Sequence, residues 1–342
     1  MSTTRRHHPT EAPGTTTMRA VVQEQYGPTP QDVLRQGRIA RPTIGPAEVL
    51  VRVHAAAVDR GTWHLMAGLP YPVRAAGFGM RRPKATNPGR SLAGTVVAVG
   101  ADVTEFGAGD EVFGVGVAAY AEMACARADR LAKKPANLTF TQAAAVPDSG
   151  LTALQAVRIH AKVVSGERVL VLGAAGGVGS FAVQLAVAEG AQVTGVSRTE
   201  KVDLVHRLGA HRVIDYTRED PTGDGTRYDV IIDTGGNRRL AHLRRALTPR
   251  GRLVIVGGEN GGRWLGGTDR QLRAQLLSPF LRQQLGSFIA SEDAAGLVEI
   301  RKLIEAGAII PAIDRTFPLD RAAEAVQHLL DGRAQGKVVI TP

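Results

Sequence analysis

The sequence predicts an α/β protein of two domains, one β-rich and one a doubly wound parallel sheet, and three observations predict it. Its 342 residues exceed what a single hydrophobic core usually organises. From Met18 to about Phe140 the apolar runs are short, β-branched and punctuated by Gly and Pro, the pattern of a barrel-like or sandwich core. From about Thr141 the period changes, and apolar strands alternate with amphipathic helices, as in a parallel sheet with right-handed crossovers.

The elements follow in order. Residues 1–17, MSTTRRHHPTEAPGTTT, lack the apolar core of a signal peptide and read as a disordered tail. MRAVVQEQ from Met18, EVLVRVHAAAV from Glu48, SLAGTVVAVG from Ser91 and DEVFGVGVAAYAEMACA from Asp110 read as strands, with Gly107-Ala108-Gly109-Asp110 a turn. TQAAAVPDSGLTALQAVRIHA, from Thr141, reads as two helical pieces hinged at Pro147 and Gly150. Then come the strand RVLVLG, the helix VGSFAVQLAVAEG, the strand QVTGVS, the helix EKVDLVHRLGA, the strands RVIDY and YDVIIDTG, the helix RRLAHLRRAL and the strand RLVIVGG. The tail GLVEIRKLIEAG, IDRTFPL, RAAEAVQHLL and GKVVITP alternates helix and strand and is expected to return to the β-rich domain. The expected plan is therefore 18–140 for the first domain, 141–292 for the second and 293–342 for the return.

Composition narrows the function classes. Hydrophobic residues make up 44% and charged residues 22%, as in a globular protein, and the 40 glycines suit many tight turns. The net charge of +10 raises nucleic acid as a partner, but the basic residues are scattered and aromatics are only 4%, which argues against it. A basic surface that attracts an anionic cofactor is the milder reading. No apolar run is long enough to cross a bilayer. The single cysteine, Cys125, excludes an internal disulfide framework and a four-cysteine zinc lobe, and points to a reducing cytoplasm.

The densest signal is VLVLGAAGGVGSFAVQLAVAEGAQVTGVSRTEK, from Val169 to Lys201. Ala174-x-Gly176-x-x-Gly179 follows a strand and opens a helix, in the places of the G-x-G-x-x-G dinucleotide fingerprint with alanine first. Gly176 lets the backbone approach a pyrophosphate, Gly179 allows close helix–strand packing, and the amides around Gly177 and Val178 face the phosphates from a helix N-terminus. An ordinary glycine-rich turn is the plain alternative. NAD favours an acid at the end of the second strand. Here Ser197 and Arg198 stand in that place and Lys201 follows one turn later, which favours the 2′-phosphate of NADPH. The alternative is that the two cations are merely solvated. Thr234 and Gly235 after DVIID, and Gly257 and Gly258 after RLVIV, close strands where open sheets bind ligands.

These stretches resemble the zinc-independent, quinone oxidoreductase-like members of the medium-chain dehydrogenase/reductase superfamily. The motifs are GAAGGVG at 173–179, LTALQA at 151–156, VIDYTRED at 213–220, DVIIDTGG at 229–236, FGAGDEVFG at 106–114 and GKVVI at 336–340. WHLMAGLPYPVRAAGFG and GRLVIVGGENGGRWLGG also resemble bacterial relatives of the reticulon-interacting branch. The resemblance implies a GroES-like β-rich catalytic domain, a Rossmann domain, NADPH in the cleft between them, and hydride transfer. It implies Thr152 near the nicotinamide phosphate and Lys201 and Tyr216 beside the 2′-phosphate, although Tyr216 equally reads as a packed ring with its hydroxyl at the surface. Lys337 matches a basic position near the cofactor, with a solvated lysine as the alternative. LGSFIA, from Leu285, resembles the segment through which relatives extend a sheet across a dimer axis, which implies a homodimer.

Zinc-dependent relatives place a cysteine in the region aligned with Val58 to Thr62 and Gly-His-Glu in the region aligned with Gly89 to Ser91. This chain reads VDRGT and GRS there, and its histidines show no ligand spacing, so no metal is expected. The expected chemistry is hydride delivery to a quinone or to the C=C of an α,β-unsaturated carbonyl, with proximity and hydrogen-bond donors as the catalytic means. Candidate donors are Asp59, Thr62, His64 and Tyr71, with Tyr71 the first choice as proton donor or oxyanion partner and His64 the second. Either of those two rings equally reads as a packed side chain lining the groove. Thr62 and Ser91 stand where relatives often carry Asp. Two rival functions stay open: metal-free carbonyl/alcohol interconversion, and a non-catalytic, crystallin-like NADPH binder.

Overall fold

The computed structural model describes residues 17–236, 238–258 and 262–342. The tail expected at 1–17 lies outside the described residues except for Thr17, which opens the strand Thr17–Val22 and pairs with Arg35–Ala40 in a small antiparallel ribbon.

A seven-stranded sheet is organised by the eleven-residue strand Glu48–Val58, buried along most of its length. Along one edge, its first half pairs with Met123–Arg127 and its end with Lys337–Thr341. Along the other lie Ser91–Val99, Glu111–Val115 and Leu131–Lys133. The run expected as one strand from Asp110 is thus two, separated by residues 116–122. Ile313–Pro318 adds a parallel edge to Lys337–Thr341, so the chain's last strands complete a sheet begun nearly 300 residues earlier. Val338 pairs with Val58 in antiparallel register, which brings Lys337 opposite Asp59.

The second sheet has six parallel strands in the spatial order Arg212–Asp215, Gln192–Ser197, Arg168–Leu172, Tyr228–Asp233, Leu247–Ile255 and Gln284–Ser287. The order reverses direction between Arg168–Leu172 and Tyr228–Asp233, and open α/β sheets bind ligands at the carboxyl ends beside such a reversal.

The stretch from Thr141 becomes Phe140–Ala144, Pro147–Leu154 and a wider helical turn, Gln155–His160. Thr139 and Gln142 cap the first piece reciprocally. Pro147 opens the second, where its missing N–H leaves no bond unmade. Gly150 is not the hinge expected of it. It sits inside Pro147–Leu154, where a Cβ would come within 3.1 Å of Val146 and 3.2 Å of Ile300, so glycine allows the helix Ala294–Glu305 to pack close. Ala55, Ala93, Phe113 and Val339 of the first sheet share one core with Leu151, Val171, Phe181 and Ile300. That shared core holds the two sheets around a cleft. No described helix is long and apolar enough to cross a membrane.

Candidate active site

The glycine turn begins one residue earlier than the fingerprint suggests. Gly173, directly after Arg168–Leu172, has φ +76°, and a Cβ there would stand 2.6 Å from Thr234 Oγ1. The left-handed position therefore falls on a glycine, while the buried Ala174 donates its N–H to the Val196 carbonyl at 3.0 Å. Alanine in the first fingerprint place costs nothing. Gly176 precedes the helix Gly177–Ala188, and a Cβ on it would meet only the Gly173 carbonyl, at 3.2 Å, leaving the other side open. At Gly179 a Cβ would lie 2.1 Å from the same carbonyl, so this glycine serves helix–strand packing. Gly176, Gly177 and Val178 line the cleft and Gly179 stands behind them. The first amides of a twelve-residue helix lack intrahelical partners and carry the positive end of its dipole, so this wall accepts phosphate oxygens.

The cleft, about 590 Å³, runs from that turn in two directions. One end is lined by Ser197, Arg198, Lys201 and Tyr216. Ser197 is buried and donates its hydroxyl to the Arg198 carbonyl at 3.3 Å. Arg198 is exposed, and its Nε donates to the Tyr216 hydroxyl at 3.3 Å. Tyr216 is 45% exposed, so its ring is not packed away. Lys201 is more committed than a free phosphate ligand. Its Nζ donates to the carbonyls of Gly332 at 2.7 Å and Ala334 at 2.6 Å, leaving one of three donors, and burial followed by the Arg198 charge lowers its pKa. Thr234, Gly235, Gly257 and Gly258 line the cleft between the two ends. Thr234 Oγ1 is bound to the Leu172 carbonyl at 2.7 Å.

The opposite end gathers charges from five segments of chain. Lys337 is buried, pairs with Asp59 Oδ1 and donates to Ser149 Oγ at 2.9 Å. The solvated alternative for Lys337 is thereby overturned. Asp59 was expected to offer hydrogen bonds to substrate, and this is corrected: its carboxylate accepts from Lys337, from Ser91 Oγ at 3.1 Å and from Ser149 Oγ at 3.3 Å. Both its oxygens are occupied. His64 lines the cleft, and its Nδ1 lies 2.9 Å from the Leu69 carbonyl, which makes Nδ1 the donor and leaves Nε2 as the second polar atom. Thr152 also lines the cleft, its Oγ1 donating to the Asp148 carbonyl at 2.7 Å. Tyr71 is not among the lining residues; its ring stands edge-on to Trp264, with the Arg74 guanidinium 4.9 Å from its centroid. Thr62 faces a second, more apolar cavity of about 300 Å³.

Among the lining residues that the sequence did not single out are Arg90, Asp148 and Glu292. Arg90 and Arg130 both pair with Glu292. Asp148 is partly exposed to the cleft, and its carboxyl is pushed up to about 7, first by burial and then by Asp59. Its signal was the acid of VPDSGLTA, adjacent to the Thr152 motif.

Residues 45–187 match a family model described as alcohol dehydrogenase GroES-like domain, and residues 208–340 match one described as zinc-binding dehydrogenase. The chain is 32% identical to NAD(P)H oxidoreductase RTN4IP1, mitochondrial, of Mus musculus, over 95% of this chain and 89% of that protein. The chain belongs to the zinc-independent, quinone oxidoreductase-like members of the medium-chain dehydrogenase/reductase superfamily. It is also 32% identical to the NADPH-dependent alkenal/one oxidoreductase, chloroplastic, of Arabidopsis thaliana, over 95% of this chain and 80% of the relative. The solved quinone oxidoreductase of Coxiella burnetii superposes with a TM-score of 0.81 at 28% identity, covering 96% of this chain and all of that one. The seven-stranded sheet is thus the superfamily's GroES-like unit and the six-stranded sheet its Rossmann unit, and the protein is an oxidoreductase that uses a nicotinamide cofactor. The regions where zinc-dependent relatives carry an early cysteine and Gly-His-Glu read VDRGT at 58–62 and GRS at 89–91 here, and among the described residues no group of three or more His, Cys, Asp or Glu is placed to hold a metal.

Proposed function

We propose that the protein reduces quinones or the C=C of α,β-unsaturated carbonyls with NADPH, without zinc. One observation carries the reading: a single cleft joins Arg198, the glycine turn, Thr152 and the charged cluster around Asp148. The residues fit a dinucleotide. The Gly176–Gly177 wall is open where a side chain would intrude on a pyrophosphate, and a Cβ on Gly177 would already meet Ser149 Oγ at 3.0 Å. Arg198, braced by Tyr216, offers its remaining guanidinium donors to a 2′-phosphate, which favours NADPH over NADH. Bound there, the reduced nicotinamide supplies a hydride. The chain holds the acceptor beside it and provides polar groups for the oxygen that gains charge.

Two further assignments belong to this reading. The edge strand Gln284–Ser287, paired on one side with Leu247–Ile255, supports a homodimer in which two Rossmann sheets continue into one another. The lone Cys125 supports a reducing, cytoplasmic setting. A panel of quinones, enals and cyclic enones assayed with NADPH and NADH, with product identification, tests the function. Hydroquinones from the quinones and saturated carbonyls from the enals and enones, with a kcat/KM preference for NADPH, are expected. Alcohol products, a preference for NADH, or tight NADPH binding without turnover each overturn it.

A further inference from the structure

We infer that Asp148 is the acid that hands a proton to the substrate's carbonyl oxygen, an assignment that rests on the proposed reduction. Asp148 occupies the first turn of Pro147–Leu154, and its backbone is clamped on both sides. Its N–H donates to Ser91 Oγ at 3.3 Å and its carbonyl accepts from Thr152 Oγ1 at 2.7 Å. Asp148 lines the cleft together with Thr152, Ser149 and Arg90. Among the described residues none hydrogen-bonds its carboxyl, in contrast to the fully engaged Asp59.

The surroundings leave a substantial fraction of that carboxyl protonated near neutral pH. Asp59, Arg90, Glu292 and Lys337 are the charges that face it, and the neutral hydroxyl of Tyr120 lies within their field. Burial opposes ionisation, Asp59 and Glu292 repel a second negative charge, and Arg90 and Lys337 pull the other way. Burial and Asp59 prevail, and the pKa rises to about 7. Lys337 is weak as a counter-charge because Asp59 already neutralises it. An acid poised near the working pH is suited to proton transfer in both directions.

The step balances. With NADPH bound, its nicotinamide would supply the hydride for a new C–H bond at the β-carbon; the C=C pair would shift to the bond between the α-carbon and the carbonyl carbon and the C=O pair onto oxygen, which takes the proton as the carboxyl O–H of Asp148 breaks and an enol O–H forms. The enol then becomes the saturated carbonyl by exchange with water, and a water proton from the open cleft restores the acid. For a quinone, the same proton completes one hydroquinone hydroxyl. Arg90, whose guanidinium keeps donors beyond those Glu292 accepts, steadies the oxygen while it is charged.

The test uses the full-length protein with NADPH and, as probes, menadione and cyclohexenone. Wild-type kcat is expected to decline as pH rises past about 7, where the acid is lost. Asp148→Asn should lower kcat by about 100-fold and flatten that decline, with the Kd for NADPH unchanged, and Asp148→Glu should restore part of both. Infrared difference spectra of the ligand-free protein provide a readout apart from turnover: a protonated carboxyl band at neutral pH, absent in Asp148→Asn. A wild-type protein without that band, or an Asp148→Asn variant with wild-type kcat and pH profile, overturns the assignment and leaves the reduction standing. A wild type that reduces neither probe overturns the reduction itself, and the proton step with it.

Discussion

The two ends of the cleft are built by opposite rules. At the nucleotide end, the glycine turn and residues 197–201 come from one stretch of about 30 residues, and Arg198 and Tyr216 remain exposed. At the chemical end, Asp59, Arg90, Asp148, Glu292 and Lys337 come from five separate segments, and the Asp59–Lys337 pair is buried. The nucleotide end presents free backbone amides and the exposed Arg198 guanidinium to a ligand that supplies its own charge. The chemical end sets charges against one another before any ligand arrives. Its charges consequently bear on the protonation of Asp148, whereas Arg198 at the nucleotide end is placed to act on affinity.

The largest effect should come from breaking the buried pair. Lys337→Met leaves the Asp59 carboxylate buried without its cation, which by analogy with other broken buried pairs costs about 3–5 kcal/mol. Urea denaturation measures it. Adding Asp59→Asn to Lys337→Met should return most of that loss, because two neutral groups of similar size have no uncompensated charge to bury. A double variant as unstable as the single one would show that Lys337 stabilises by packing, and the contrast between the two ends would lose its electrostatic basis.

That pair also shows what the sequence could and could not reveal. The parallel sheet, its crossovers and the glycine turn were legible because each depends on local periodicity and on residues a few positions apart. Even there, the position that needs positive φ is Gly173 and not the fingerprint's first place. Asp59 and Lys337 are 278 positions apart, and they meet only because the last strand pairs with Val58 in one register. No pattern in VDRGT or GKVVI states that register. Asp148 was hidden for another reason: an acid in the first turn of a helix usually serves the helix dipole, and it is burial and the approach of Asp59 that raise its pKa. Gly150 misled in the reverse sense, reading as a hinge when its use is close approach of another helix.

An intermediate effect is expected at the exposed end. Arg198→Ala removes the guanidinium that Tyr216 braces, and should raise the KM for NADPH about tenfold, or ~1.4 kcal/mol, while leaving kcat and the KM for NADH nearly unchanged. Salt should erode the wild-type preference, because an exposed cation is screened. A fall in kcat with both cofactors would mean that this end reaches into the chemistry, and the division of labour between the two ends would fail.

The smallest effect is expected where the sequence suggested the largest. Tyr71 was the first choice as proton donor, yet it does not line the cleft. Its described contacts are those of its ring, edge-on to Trp264 with centroids 5.1 Å apart and beneath the Arg74 guanidinium, together with two backbone bonds, from its N–H to the Arg263 carbonyl at 2.9 Å and from the Arg74 N–H to its carbonyl at 3.0 Å. Phenylalanine keeps every one of them. Tyr71→Phe should therefore leave kcat within about twofold of wild type, since only a group in contact with reacting atoms carries the 100-fold effect expected at Asp148. Measured beside Asp148→Asn under the same conditions, it separates two sources for the proton. A large loss in Tyr71→Phe with an unchanged pH profile in Asp148→Asn would move the acid from the buried cluster to the loop that carries Tyr71.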